Sequence, residues 1–327
     1  MPRSPILPLL ILWCLVTLAF AAALALGAQD IAPGQVMGAI MGDRGPAADV
    51  VLGLRLPRAA AAVFVGGALA VAGVVMQTLA RNPLADPSLT GVNAGAALAV
   101  VLGLMSFGVM PRPLVAALAF GGAAAAAIIV RLLAGHGDTT LRLPLAGAAF
   151  ASICMSIVAL VVLLNPEARN IYRFWMVGSL AMADLQGLAM LVPVGLLGVL
   201  CALFAARGIE ALMLSDELGA ALGVSPGQVL TLALLAIALT AGASVALAGP
   251  VGFIGLIAPH IARRIVGSGL SRLILASVPL GAILALVADV IGRVAIRPSE
   301  LPIGIVLAIF GAPAFMLFAR QLVRGPK

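Results

Sequence analysis

Apolar stretches close to the length of a bilayer-spanning helix recur along this chain, with only short polar breaks between them, and few folds tolerate that pattern. A helix needs about 20 apolar residues to cross a bilayer. Stretches near that length read as Ile6–Leu26, Arg58–Leu79, Val92–Phe107, Pro113–Leu133, Leu143–Leu164, Gly187–Ala206, Val229–Ala248, Phe253–Val266, Leu273–Ile291 and Pro302–Leu322. The third and eighth are short for a full span and are expected to be broken or tilted. Charged residues make up 9% of the 327 residues, against about 25% in a soluble domain. Too little polar surface remains to face water, so lipid is the solvent for most of this protein. The expected fold is an all-α membrane protein of about ten transmembrane helices. Arg3 followed by an apolar run resembles a signal peptide, but Ile6–Leu26 outlasts the roughly 7–15 residues of a signal's apolar core and reads as the first membrane helix.

An even number of spans leaves both termini on one side. With the N-terminus inside, eleven of the 19 Lys and Arg residues fall on the inner side and eight on the outer, a weak inside bias. The outer group, which includes Arg55, Arg58 and Arg293, therefore asks for its own explanation. The net charge of +7 is spread singly through apolar sequence, so no basic face for nucleic acid is formed. Cys14, Cys154 and Cys201 sit inside apolar segments without CxxC spacing and read as small packing residues. Two histidines, His136 and His260, do not suffice for a histidine-built metal site.

Arg142-Leu-Pro-Leu-Ala-Gly147 opens the fifth span and Glu300-Leu-Pro-Ile-Gly304 the tenth, from opposite sides. Two inverted five-helix halves would give that arrangement, with residues 1–164 and 165–327 forming one transmembrane domain. Two polar regions exceed a plain turn. Gly27 to Leu54 reads as an outer loop carrying a short helix. Arg207 to Gln228 reads as an inner segment centred on a short helix, N-capped by Ser215, acidic in its first turn at Asp216 and Glu217, and stopped by Gly223.

No phosphate-binding GxxxxGK loop, HExxH or nucleophile elbow is present, so any ATP, with its magnesium, belongs to another chain, and no cofactor is expected on this one. Gradient coupling would call for carboxylates at membrane depth. Asp289 is the nearest, and it stands four residues before Arg293, which reads as a helix-end ion pair near the outer surface. Arg55 and Arg58 sit where a helix enters from outside, and arginine suits bidentate pairing with carboxylates. Docking of an acidic partner and anchoring of helix ends are both open for them. Asn82-Pro-Leu-Ala-Asp-Pro87 forbids continuous helix, and a gate there, with Thr139 and Thr140 in the next inner loop, competes with plain turn chemistry. Arg173-Phe-Trp-Met-Val-Gly-Ser179 reads as an interfacial aromatic belt.

Taken together, Arg55-Leu-Pro-Arg58, the Gly67–Gln77 helix, Arg81-Asn-Pro-Leu-Ala-Asp-Pro87, Gly91-Val-Asn-Ala-Gly95, Phe174-Trp-Met-Val-Gly-Ser179, Asp216-Glu-Leu218 with Leu222-Gly-Val224, Gly249-Pro-Val-Gly-Phe-Ile-Gly-Leu-Ile-Ala-Pro-His260, Asp289 with Arg293, and Glu300-Leu-Pro-Ile-Gly304 resemble the permeases of type II ABC importers for ferric siderophores, haem and cobalamin, the FecCD family. The resemblance runs along nearly the whole chain. It implies a second permease copy, identical or paralogous, two cytoplasmic ATPases and a periplasmic binding protein, in the bacterial inner membrane with both termini cytoplasmic. It implies that Arg55, Arg58 and Arg293 receive glutamates of the binding protein. Ser215, Asp216, Glu217, Leu218, Ala221, Leu222 and Gly223 match the helix that couples to the ATPase. Asn82, Leu84, Thr139 and Thr140 match the inner gate, and Ala148 and Ser152 the pathway wall. The Arg-Phe-Trp-Met-Val-Gly-Ser stretch is more similar to siderophore and haem permeases than to cobalamin ones.

Overall fold

The computed structural model describes residues 6–135, 139–214 and 224–323. Every regular element among them is helical: α1 (Ile6–Ala25), α2 (Pro33–Met41), α3 (Pro46–Val50), α4 (Leu56–Leu79), α5 (Val92–Phe107), α6 (Arg112–Ala134), α7 (Thr139–Leu164), α8 (Pro166–Met176), α9 (Leu185–Leu214), α10 (Pro226–Ala248), α11 (Ile254–Val266), α12 (Leu270–Val294) and α13 (Ile303–Val323). Each expected span has its helix. Seven described helical stretches are long and apolar enough to cross a bilayer; α5 and α11, the two expected to be short, fall below that length.

Burial sorts these helices by depth. Within its most apolar window α1 is only 17% buried, whereas the Pro46–Leu79 stretch is 83% buried. The reason lies in the side chains. α1 is lined with Leu, Ile and Trp that suit lipid, while α4 is built largely of Ala, Gly and Val. Small residues let helix backbones meet, which is how packing is gained where lipid removes the hydrophobic drive. Gly66 of α4 lies against Gly281 of α12, where an added Cβ would stand 2.2 Å from the Gly281 carbonyl oxygen. Gly73 meets Gly255 of α11 in the same way at 2.0 Å, and Gly95 of α5 meets Gly122 of α6 at 2.4 Å. Thus α4 is the central helix, packed on α9, α10, α11 and α12.

The packing order repeats along the chain. In the first half α5 packs on α6 and α7; in the second α11 packs on α12 and α13. α4 lies on α12, and its counterpart α10 lies on α6. Each short helix follows an irregular stretch. Before α5 the chain makes a Pro87–Thr90 3-10 turn, N-capped by Asp86 and closed by Gly91 at φ 76°. Before α11, Phe253 takes φ 68°, a conformation a bulky side chain rarely adopts.

Three boundaries differ from the sequence reading. The Gly27 to Leu54 region holds α2 and α3, and α3 runs on into α4 through a π-helical turn at Val51–Arg55, in which the Leu56 N–H donates to the Val51 carbonyl. Pro57 accounts for the widening, since it has no N–H for Gly53 and its ring crowds that carbonyl. At the other boundary, α9 continues to Leu214, so the polar segment expected from Arg207 is helical over its first residues. The aromatic stretch around Arg173 belongs to a helix, α8, that the sequence reading did not separate. Its start is legible in retrospect: Asn165 Oδ1 accepts from the N–H groups of Glu167 and Ala168, with Pro166 at the first helical position.

Backbone-to-backbone contact at Gly66 leaves no room for a methyl group. Gly66→Ala is expected to cost about 1–3 kcal/mol, as overpacking does, read as a lower melting temperature in detergent. Gly121→Ala, at a site with nothing within 4 Å, should leave the melting temperature unchanged or raise it.

Candidate functional site: two polar clusters on one helix pair

α4 and α12 run antiparallel in contact, and each carries polar side chains at both ends. Arg58 and Arg81 are 23 positions apart on and just beyond α4, about 35 Å at helical rise. That exceeds a hydrocarbon core of about 30 Å, so the two clusters lie at its opposite faces.

At the Arg58 end, Asp289 is 1% exposed and stands between two guanidiniums. Arg58 Nε donates to Asp289 Oδ1 at 2.7 Å, and Arg293 Nε lies 3.0 Å from Asp289 Oδ2. Arg58 Nη1 donates to Glu300 Oε2. The expected pair of Asp289 with Arg293 is therefore present. It is buried rather than at the surface, because α1 and α4 pack over it. Guanidiniums stay protonated in proteins, so this carboxylate has permanent positive partners.

The three arginines expected to face a partner are 4%, 8% and 2% exposed at Arg55, Arg58 and Arg293. Two of them serve the C-terminus of α1. Arg55 Nη1 donates to the carbonyls of Leu24 and Ala25 at 2.8 and 2.7 Å, and its Nη2 to that of Gln29. Arg293 Nη1 donates to the carbonyls of Ala23 and Leu26. α1 has no basic residue in its own last turn, and its terminal carbonyls and negative dipole end are met from neighbouring helices instead. Arg58 alone of the three is bound to carboxylates on two different segments.

At the other end, Gln77 is 2% exposed. Its Nε2 donates to the Gly255 carbonyl at 3.0 Å, and its Oε1 accepts from Arg263 Nη1 at 2.9 Å. Arg81 Nη2 donates to the Leu212 carbonyl at 3.0 Å, and Glu210 accepts from the Leu270 N–H that opens α12. α12 begins after Gly269, which has no side chain to cap it, so α9 supplies the cap. A cavity of about 500 Å³ opens here between Gln77, Arg81, Asn82, Glu210, His260 and Arg263. A larger hollow, about 610 Å³ around Asp43, Arg44 and Asp49, lies on the α2–α3 surface and takes in none of the expected residues.

Of the expected gate residues, Asn82 lines the cavity and Leu84 is 42% exposed. Asn82 Oδ1 accepts from the Leu84 N–H, so the turn and the gate reading draw on the same side chain. Thr139 and Thr140 open α7, with their side chains outside the described residues. Ala148 and Ser152 are exposed one turn apart on α7, and the Ser152 and Ser156 hydroxyls bond back to the carbonyls of Ala148 and Ser152. Ser215, Asp216, Glu217, Leu218, Ala221, Leu222 and Gly223 lie outside the described residues. The chain enters that segment from α9 at the Gln77 end, where Arg81 and Glu210 hold it.

Sequence reasoning gave no role to Gln77, Arg263, Glu210 or Glu300. A lone amide in an apolar helix is itself a signal, and Gln77 was visible on that ground. Glu210 was not, because nothing in sequence joins it to Leu270.

Removing one member of a buried ion cluster leaves its partner charge uncompensated. Asp289→Asn is expected to lose about 3–5 kcal/mol of stability, measured by thermal denaturation in detergent. Glu300→Gln, whose side chain is 34% exposed, should lose less than about 1 kcal/mol in the same measurement.

The model of the FecCD transport family matches residues 14–321. The chain is 40% identical over 316 residues to the ferric enterobactin transport system permease protein FepD of Escherichia coli (strain K12), covering 95% of this chain and 94% of that one. It is 40% identical over 273 residues to the Fe(3+)-citrate import system permease protein YfmD of Bacillus subtilis (strain 168), covering 83% and 81%. A solved metal-chelate type ABC transporter in an inward-facing conformation superposes with a TM-score of 0.86 at 26% identity, over 97% of this chain and all of that one. A multi-pass helical chain matched along almost its whole length in sequence and in fold belongs to the FecCD transport family, as a membrane-spanning transport subunit.

Proposed function

We propose that this chain is the permease subunit of an ATP-driven importer that carries a ferric siderophore across the bacterial inner membrane. The carrying observation is the 40% identity to a ferric enterobactin permease across 95% of the chain. Other similar permeases are named for ferric citrate, iron(3+)-hydroxamate or siderophore transport, which supports an iron chelate as the cargo. Haem and cobalamin are the weaker readings.

In this reading two permease copies stand side by side. Ala148 and Ser152 belong to a strip of small and polar residues on α7 that suits a wetted pathway better than lipid. Residues 215–223 engage the ATPase, which holds ATP and magnesium. A binding protein docks at the Arg58 end, which then faces the periplasm, and both termini are cytoplasmic. Asn82 and Leu84 gate the cytoplasmic end. Asp289 supports this reading over a gradient-driven one, since a carboxylate held between two guanidiniums is poorly placed to load and release a proton.

Uptake into liposomes tests it. With the cognate ATPase and binding protein reconstituted, ferric siderophore should accumulate only when ATP and the binding protein are both present. Accumulation driven by a proton or sodium gradient without ATP would overturn the proposal, and uptake of haem or cobalamin in place of ferric siderophore would change its cargo.

A further inference from the structure

The Arg58 end contains two carboxylates of different kinds. Asp289 sits on a helix and is sealed, with its side chain 1% exposed. Glu300 sits in the non-helical connection between α12 and α13, and its side chain is 34% exposed. Both bind Arg58, through different nitrogens. Asp289 is built into the helix packing, whereas the Glu300 side chain can swing toward solvent while its backbone stays tied through the bond from the Leu301 N–H to the Gly292 carbonyl. The cluster is also short of negative charge. Arg55, Arg58, Arg293 and Arg297 are set against three carboxylates, Asp289, Glu300 and the Asp30 that pairs with Arg297, and Arg293 Nη2 is buried without an acceptor.

We propose that Glu300 is an internal stand-in for the docking carboxylate, holding Arg58 in the free permease and yielding it when an acidic side chain of the binding protein arrives. The inference rests on the proposed docking at this end. Arg58 is the arginine with a partner that can be exchanged, because Arg55 and Arg293 are committed to the α1 carbonyls. A free Arg58 at the edge of a buried cluster would leave the positive excess uncompensated; Glu300 supplies a carboxylate until docking supplies another. An arriving acid therefore meets a prepared guanidinium, already aimed by Asp289, and must displace only a partly solvated partner. Such a partner is weakly held, so the competition lowers affinity modestly and keeps docking reversible. The placement makes Glu300 an affinity-setting residue of opposite sign to Arg58.

The test is a titration of the binding protein onto the permease–ATPase complex in nanodiscs at low ionic strength. It compares wild type with Glu300→Gln, Arg58→Gln and the double variant. Glu300→Gln is expected to lower Kd about 3–5-fold, the size of a partly exposed ion pair. Arg58→Gln is expected to raise Kd, and the gain from Glu300→Gln should vanish in its background. A Kd for Glu300→Gln that is unchanged or weaker, while Arg58→Gln still weakens binding, would overturn the stand-in and leave the docking site intact. Equal affinity for wild type and Arg58→Gln would overturn docking at this site and the inference with it. Should Arg58→Gln fail to assemble, Glu300→Asp decides in its place, because it keeps the charge but shortens the reach to Arg58: a lowered Kd supports the stand-in, and an unchanged or raised Kd overturns it.

Discussion

The contact between the backbones of α4 and α12 at Gly66 and Gly281 is the constraint on which the rest depends. It brings two helices closer than any side chain would allow, and it sets the register that puts Arg58 opposite Asp289 at one end and Gln77 near the start of α12 at the other. Hydrocarbon gives no hydrophobic reward for pairing helices, so contact area between small residues has to supply it. Once that contact is made, charges that would be costly in lipid find each other without further adjustment.

The ion cluster then illustrates how a membrane protein keeps arginines below its surface. Each guanidinium meets acceptors already in need of donors, although Arg293 Nη2 is left without an acceptor. The carbonyls ending α1 take two of them, and the carboxylates of Asp289 and Glu300 take the third. α1 is mostly exposed on the outside of the helix bundle, so these bonds fasten it alongside its few buried side chains. Arg55 and Arg293 are thus structural in this conformation, whatever the cluster does toward a partner. The opposite cluster follows a similar economy: Glu210 closes the start of α12 from another helix, and Arg81 holds α9 just before the segment proposed to meet the ATPase.

The spans were legible because apolar length is a local property, and each expected helix is present within a few residues at most ends. Where the reading missed, the cause was local chemistry overridden by context. The span expected from Arg58 is part of a helical stretch that begins at Pro46, because the π-helical turn accommodates Pro57. Arg207 looked like the end of a span, yet α9 runs on because its polar last turns lie where water and other helices meet them. The site was half legible. Arg55, Arg58, Asp289, Arg293 and Asn82 were visible as polar residues in unusual places, while Glu300 stood in a recognised motif without a role.

By itself the sequence determined the solvent, the number of apolar spans and their approximate ends, since these depend on runs of neighbouring side chains. Apart from the i,i+4 pair of Asp289 with Arg293, tertiary structure alone decided which charges meet. Arg58 pairs with residues more than 200 positions away, and Arg55 donates to the carbonyls that end α1. Hydrogen bonds between helices depend on register and approach distance, and those are set by glycine contacts that no local pattern encodes.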